Sequence, residues 1–153
     1  MTEPNYWLMK SEPDAYSIDT LKNDGITLWD GIRNYQARNF MRKMNKGDKI
    51  FFYHSNCKPP GIVGLMEVID LNIVDPTQFD QDSKYFDPKS KPDNPRWDCV
   101  KVEYKSKSDK ILSLPELKIF PSIFPTDKGN LLRGTVMIYR GKGYTFLNRN
   151  FDG

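Results

Sequence analysis

The spacing of apolar positions changes character about a third of the way along this chain. Tyr6-Trp-Leu-Met9 is a short apolar run closed by the polar group Lys10-Ser-Glu-Pro13, which predicts a first strand. A short helix follows. Ser17 is placed to cap it, Tyr16 and Leu21 have the spacing of a hydrophobic staple, and Asp24-Gly25 supplies the stop. Residues 27–34, Thr-Leu-Trp-Asp-Gly-Ile-Arg-Asn, read as a turn. From Tyr35 to Met44 the period is helical, with Asn34 as cap and Lys46-Gly47 as stop. Ala37, Phe40, Met41 and Met44 share one face, and Arg38 and Arg42 lie four apart on another.

Beyond Lys49 the period shortens to that of strands. Lys49–His54 and Gly61–Leu71 are rich in β-formers, and the turn Asn56-Cys-Lys-Pro-Pro-Gly61 between them predicts an antiparallel pair. Asp75–Arg96 carries Pro76, Pro88, Pro92 and Pro95, so no regular element is expected there. Val100, Val102 and Tyr104 alternate with Lys101, Glu103 and Lys105, the pattern of a half-exposed strand. Ser113-Leu-Pro-Glu116 has capping-box spacing and predicts a short helix. Leu131–Tyr139 and Tyr144–Leu147 read as a closing hairpin around Arg140-Gly-Lys-Gly143. Strands outnumber helices and do not alternate with them, so the expected class is α+β with a curved or barrel-like sheet.

A length of 153 residues fits one domain with a core of its own. No apolar run approaches the roughly 18–20 residues of a membrane span. The start, Met1-Thr-Glu-Pro4, lacks the basic and apolar regions of a signal peptide, so the expected compartment is the cytoplasm or nucleus. Mean hydropathy is −0.66. The two cysteines, Cys57 and Cys99, are far apart and His54 is the one histidine, so neither a zinc site nor a disulfide framework is expected. Neither GxxxxGK[ST] nor GxGxxG occurs, which argues against nucleotide-driven and Rossmann chemistry; no cofactor is expected.

Net charge is only +3, yet Arg33, Arg38, Arg42, Lys43, Lys46 and Lys49 stand against the single acid Asp48 in one stretch. That local excess suits a polyanion, or it forms a solvated helix face. Just ahead of it, Trp29 offers a ring on which a base could stack. Asp30 and Asn34 could bond a base edge, Arg33 a phosphate, and Gly31 allows close approach. The alternative is that Trp29 anchors the core and Asp30-Gly31 is only a turn. Two predicted strands end in polar groups, Lys10-Ser11-Glu12 and Tyr53-His54-Ser55-Asn56, and strand ends often line sites. His54 there is equally readable as a hydrogen-bonded structural group. A catalytic triad from Ser11 or Ser55, His54 and Asp30 lacks a GxSxG elbow. A calcium loop begun at Asp80 would have Tyr85 where glycine is needed and Lys91 where glutamate is needed.

Tyr6-Trp-Leu-Met-Lys-Ser-Glu-Pro13, Trp29-Asp-Gly-Ile-Arg-Asn-Tyr-Gln-Ala-Arg-Asn-Phe40, Gly47-Asp48, Phe52-Tyr-His-Ser-Asn56 and Gly61-Ile-Val-Gly64 together resemble the EVE domain family. The resemblance continues through Tyr85-Phe-Asp-Pro-Lys89 and Pro95-Arg-Trp97 to about Val102. It implies a PUA-like fold, a bent β-pseudo-barrel with short helices packed at its ends, with residues 1–153 as one domain. It also implies binding of nucleic acid without chemistry, most of all DNA carrying a modified cytosine such as 5-methylcytosine, held in an aromatic pocket. A modified base in RNA is the alternative ligand, and a hydrolase or base-processing enzyme using the same pocket the alternative class. Carried over residue by residue, the base pocket would comprise Ser11, Trp29, Asp30, Asn34, Tyr53, His54 and Ser55. Lys10, Arg33 and Arg38 would meet the backbone, joined by Arg42 and Lys43 from the basic stretch. The family closes with a strand reading roughly Arg-Leu-Ser-Val. Here Leu132–Tyr139 takes its place and Arg140–Gly153 follows without a match, so 132–153 is atypical.

Overall fold

The computed structural model describes residues 5–113, 136–140 and 144–146. Seven strands form one mixed sheet in the order β2-β5-β4-β3-β1-β6-β7. They are β1 (Tyr6–Ser11), β2 (Ile26–Trp29), β3 (Lys49–His54), β4 (Gly61–Val74), β5 (Asp98–Leu112), β6 (Val136–Tyr139) and β7 (Tyr144–Phe146). Helices α1 (Ile18–Asp24) and α2 (Tyr35–Arg42) pack against it. The class is α+β, as expected. β1 runs parallel to both β3 and β6, and the other pairs are antiparallel. Register shifts interrupt β3–β4 at Phe52/Tyr53 and β4–β5 at four points, and such bulges bend and twist the long strands.

Both helix starts follow from local chemistry. Ser17 accepts from the Thr20 N–H, and Gly25, at φ 78°, returns its N–H to Leu21 O. Asn34 caps α2 by accepting from the Ala37 N–H at 2.9 Å. Helix α2 ends at Arg42 rather than Met44, and Lys43 N–H and Met44 N–H bond Phe40 O and Met41 O in a tightened last turn. Ala37, Met41 and Met44 are buried and Phe40 packs beside them, so the predicted face is the core face.

Two expectations need correction, and one strand runs further than its alternating pattern marks. Ile26–Trp29 is a strand paired with β5, from Ile26↔Glu103 to Trp29↔Val100, and not a turn. Its four residues are too short to show a period, and pairing with β5 decides their conformation. The segment 75–97 holds one helical element, a 3-10 helix over Pro76–Phe79, because proline is compatible with a first helical position. β5 runs on through the polar stretch to Leu112, where pairing with β4 (Gly64↔Lys107, Ile62↔Leu112) outweighs composition. The hairpin of β6 and β7 is present, while the expected helix at Ser113–Glu116 lies largely outside the described residues.

The core gathers Trp7, Met9, Leu21, Trp29, Ile32, Met41, Ile50, Phe52, Met66 and Val102. Asp48 is the buried carboxylate that ties strand starts together. It accepts from Trp7 Nε1 at 2.9 Å, Asn5 N at 3.0 Å and Asn45 N at 2.9 Å. Both cysteines are free thiols, and burial pushes that of Cys99 up to about 12. Among the described residues no helix is long and apolar enough to cross a membrane.

Candidate nucleic-acid interface

Because β1, β3 and β6 are adjacent and parallel, their carboxyl ends arrive at one edge of the sheet. Ser11 is in register with His54, and Lys10 with both Tyr53 and Tyr139. A cleft of about 240 Å³ opens there. The strand ends contribute Lys10, Ser11, Ser55 and Arg140. The turns beyond β1 and β3 add Glu12, Ala15 and Asn56, and the long loop adds Lys84 and Tyr85. Among the described residues, three cations thus face one carboxylate, beside an aromatic ring. Burial holds the Lys10 ammonium below the usual lysine range, opposed by the nearby Glu12 charge. The volume is below the roughly 300–1,000 Å³ of sites for drug-sized ligands, which suits a single small ring.

Tyr85 is held by a buried polar network. Asp75 is fully buried, and its Oδ2 accepts from Gly31 N at 2.8 Å and pairs with Arg33 Nη1 at 3.0 Å. Arg33 also donates from Nε to Tyr85 O at 2.9 Å and from Nη2 to Thr77 Oγ1 at 2.9 Å. Gly31 sits at φ +83°, and a Cβ there would lie 2.6 Å from Tyr85 Cε2. Only glycine lets this ring seat so close to the backbone. Buried Gln78 fixes the rest of the loop, donating to Asp75 O and Trp97 O, each at 2.7 Å, and accepting from Ser90 Oγ at 2.8 Å. Tyr35 and Trp97 stack at 4.8 Å, with the Arg38 guanidinium 4.7 Å from the Tyr35 ring centre.

The predicted residues divide accordingly. Ser11, Ser55 and Lys10 come together in the cleft. Trp29 is fully buried, edge-on to Phe52 at 5.2 Å, so it is a core residue with no face open to a base. Its Nε1 is buried with no hydrogen-bond partner among the described residues. Asp30 stands behind the cleft as a partner of Arg140, with burial raising its carboxyl above the usual range. Asn34 is occupied as the α2 cap, and Tyr53 is buried. His54 Nε2 accepts from Ile18 N at 3.0 Å, satisfying a first-turn N–H of α1.

The basic stretch looks different in space. Arg33 pairs with Asp75, Arg42 with Asp98, Lys46 with Asp70 at 3.9 Å, and Lys49 with Glu67. Acids from β4, β5 and the loop therefore offset most of the excess that stands out along the chain. Arg38 donates to Arg96 O at 2.8 Å and to Asn39, while Lys43 lies 5.5 Å from the Phe40 ring centre. None of these six lines the cleft. Lys84, Tyr85 and Arg140 do, and no local pattern marks them as site residues, although Tyr85 lies in a motif of the family resemblance and Arg140 at the predicted hairpin turn.

The His54 contact has a pH consequence. Burial lowers its pKa first of all; neighbouring Asp19 opposes this and Lys107 adds to it, the latter two being paired at 2.8 Å. With the folded value below the unfolded one of about 6.5, the unfolded chain takes the proton first. This contribution is complete above the unfolded value and diminishes as pH falls through it toward the folded value. Melting temperature is expected to drop between pH 7.5 and 5.5, and His54→Gln, which keeps a neutral acceptor, to flatten that dependence. An equally steep profile in the variant would assign the drop to other groups.

Similarity to known proteins agrees with this architecture. The EVE domain profile matches residues 5–134. Thymocyte nuclear protein 1 of Rattus norvegicus is 47 % identical over 127 residues, 76 % of this chain and 56 % of that protein. The chain thus spans little more than half the length of the curated relatives it matches. Among solved structures, a hypothetical protein from Leishmania major is 45 % identical, with TM-score 0.75 over 82 % of this chain and 80 % of that one. The human THYN1 protein, in complex with 5-methylcytosine-containing DNA, is 45 % identical, with TM-score 0.71 over 77 % and 75 %. This chain belongs to the EVE domain family, and its fold is PUA-like.

Proposed function

We propose that this chain is a non-catalytic reader of a modified base, 5-methylcytosine in DNA above all, acting in the cytoplasm or nucleus. The observation that carries the reading is the one-ring cleft at the converging ends of β1, β3 and β6, with Tyr85 beside Lys10, Lys84 and Arg140. A base turned out of the helix would stack on Tyr85, and the ammonium groups would hold the flanking phosphates. The THYN1 complex, in a relative of the same fold, supports this choice of ligand. The polar groups suit binding rather than turnover. Ser11 Oγ donates to Tyr16 O at 2.9 Å and His54 Nε2 is taken by Ile18 N–H, so the chain's one histidine is not in hand as a general base for the serines of the cleft. The same reading treats residues 1–153 as one domain whose atypical closing segment supplies Arg140.

The test is a panel of DNA and RNA oligonucleotides with single modified bases, measured at two salt concentrations. Tyr85→Ala is expected to weaken the preferred modified oligonucleotide about ten- to a hundredfold, the size of a lost stacking contact, and to spare unmodified strands. Lys84→Ala is expected to weaken all of them alike and to lower the salt slope by about one. Preference for the modified base in RNA would move the assignment to that polymer. A released product would make the protein an enzyme.

A further inference from the structure

Arg140 occupies a position that phosphate binding does not explain. Its side chain is 12 % exposed, so it is no surface cation. The guanidinium lies 4.6 Å from the centre of the Trp29 ring and 5.7 Å from that of Tyr16. Its Nε donates to Asp30 O at 3.1 Å, and Nη2 is 3.9 Å from Asp30 Oδ1. Backbone carbonyl, carboxylate and two rings therefore hold the group in place. Among the described residues, Nη1 and Nη2 make no hydrogen bond, and the residue lines the cleft. Toward the described residues the terminal nitrogens thus keep a fork of two parallel N–H donors.

Such a fork matches two adjacent acceptors. On the pairing edge of a pyrimidine only cytosine has them, at N3 and O2. Thymine and uracil carry N3–H, a donor, which would face the guanidinium donor to donor. Guanine shows an acceptor pair at O6 and N7, but on a two-ring base. Glu12, the one carboxylate among the described residues of the cleft, would be the acceptor for the cytosine N4 amino group. Resting on the reading of the cleft as a base pocket, we infer that Arg140 is its specificity-determining residue. It accepts cytosine and rejects thymine through N3 and O2, whatever the group at C5. Arg140 lies beyond the segment matched by the family profile, which ends at residue 134, so this element of selectivity comes from the atypical closing hairpin.

Thymine and 5-methylcytosine share the 5-methyl group and differ at N3 and C4, which makes them the decisive pair. Short DNA oligonucleotides carrying one central 5-methylcytosine, thymine or cytosine are compared by titration. Wild type is expected to hold 5-methylcytosine at least about tenfold more tightly than thymine. Arg140→Met keeps an apolar chain against Trp29 and removes the fork; it is expected to bring that ratio to within about threefold of unity. The ratio of 5-methylcytosine to cytosine, set by the methyl group, is expected to stand. Arg140→Lys, with charge but no fork, is expected to lose the thymine discrimination too. A ligand-side probe does not depend on how the variants fold. Replacing N3 of the methylated base by C–H is expected to weaken binding to wild type about tenfold. Full affinity for that 3-deaza base, or thymine rejection persisting in Arg140→Met, would overturn the inference. So would wild-type binding of thymine and 5-methylcytosine equally well, both above cytosine, although the base-reader reading would then survive. Absence of any preference for a modified base in wild type would remove that reading itself, and the inference with it.

Discussion

Trp29→Ala is expected to destabilise the domain by about 3–5 kcal/mol, the range for removing a large aromatic side chain from a packed core. The ring is fully buried, meets Phe52 and Tyr16 edge-on, and carries the Arg140 guanidinium on its face. A chain of this size loses roughly 2–4 °C of melting temperature per kcal/mol, so a fall of about 6–20 °C is anticipated in a thermal melt. Trp29→Phe fills most of the space and eliminates the Nε1 that has no partner among the described residues, so a much smaller loss is expected. A Trp29→Ala melt within a degree or two of wild type would contradict the core assignment.

Asp75→Ala has an expected loss of similar size from a different cause. Its carboxylate holds Gly31 N, Arg33 Nη1, Thr77 N and Thr77 Oγ1 at once. Removing it leaves Arg33, 10 % exposed, as a buried charge without its counter-ion, which typically costs about 3–5 kcal/mol. Urea titration is expected to show a lower midpoint with an unchanged slope. Arg33 would then no longer hold the Tyr85 carbonyl firmly, so residual folded protein is expected to bind oligonucleotide more weakly. An unshifted midpoint would show that solvent reaches Arg33 in the native state.

Features written into neighbouring residues were legible in the sequence. Ser17 and Asn34 cap the helices they were assigned, since a cap needs only the next three residues. Ala37, Met41 and Met44 bury the face their spacing marks, and the Lys49–His54 strand pairs antiparallel with its successor. Features decided by distant partners were not. β2 exists because β5 is beside it, and the polar end of β5 because β4 is. The basic stretch loses its excess to Asp70, Asp75, Asp98 and Glu67, all later in the chain. Of the candidate pocket, Ser11 and Ser55 were accessible because strand ends are predictable. Trp29 and Asn34 carry their motif for the fold's sake. Lys84 and Arg140 reach the cleft through tertiary contacts that no spacing rule encodes.

The meeting of three parallel strand ends also sets how the site comes into being. Lys10, Ser55, Lys84 and Arg140 are brought together from four separated stretches of chain, and parallel neighbours such as β1 and β6 cannot be joined by a tight turn. No single hairpin of the described residues contains the cleft, so it is expected to form only once the longest loops have closed. Occupancy and integrity are thereby one equilibrium. A ligand held in the cleft engages every one of those segments, and its binding energy appears as stability of the whole sheet rather than of one loop. Oligonucleotide binding should accordingly slow amide exchange in β1, β3 and β6 together, far from any atom the nucleic acid touches.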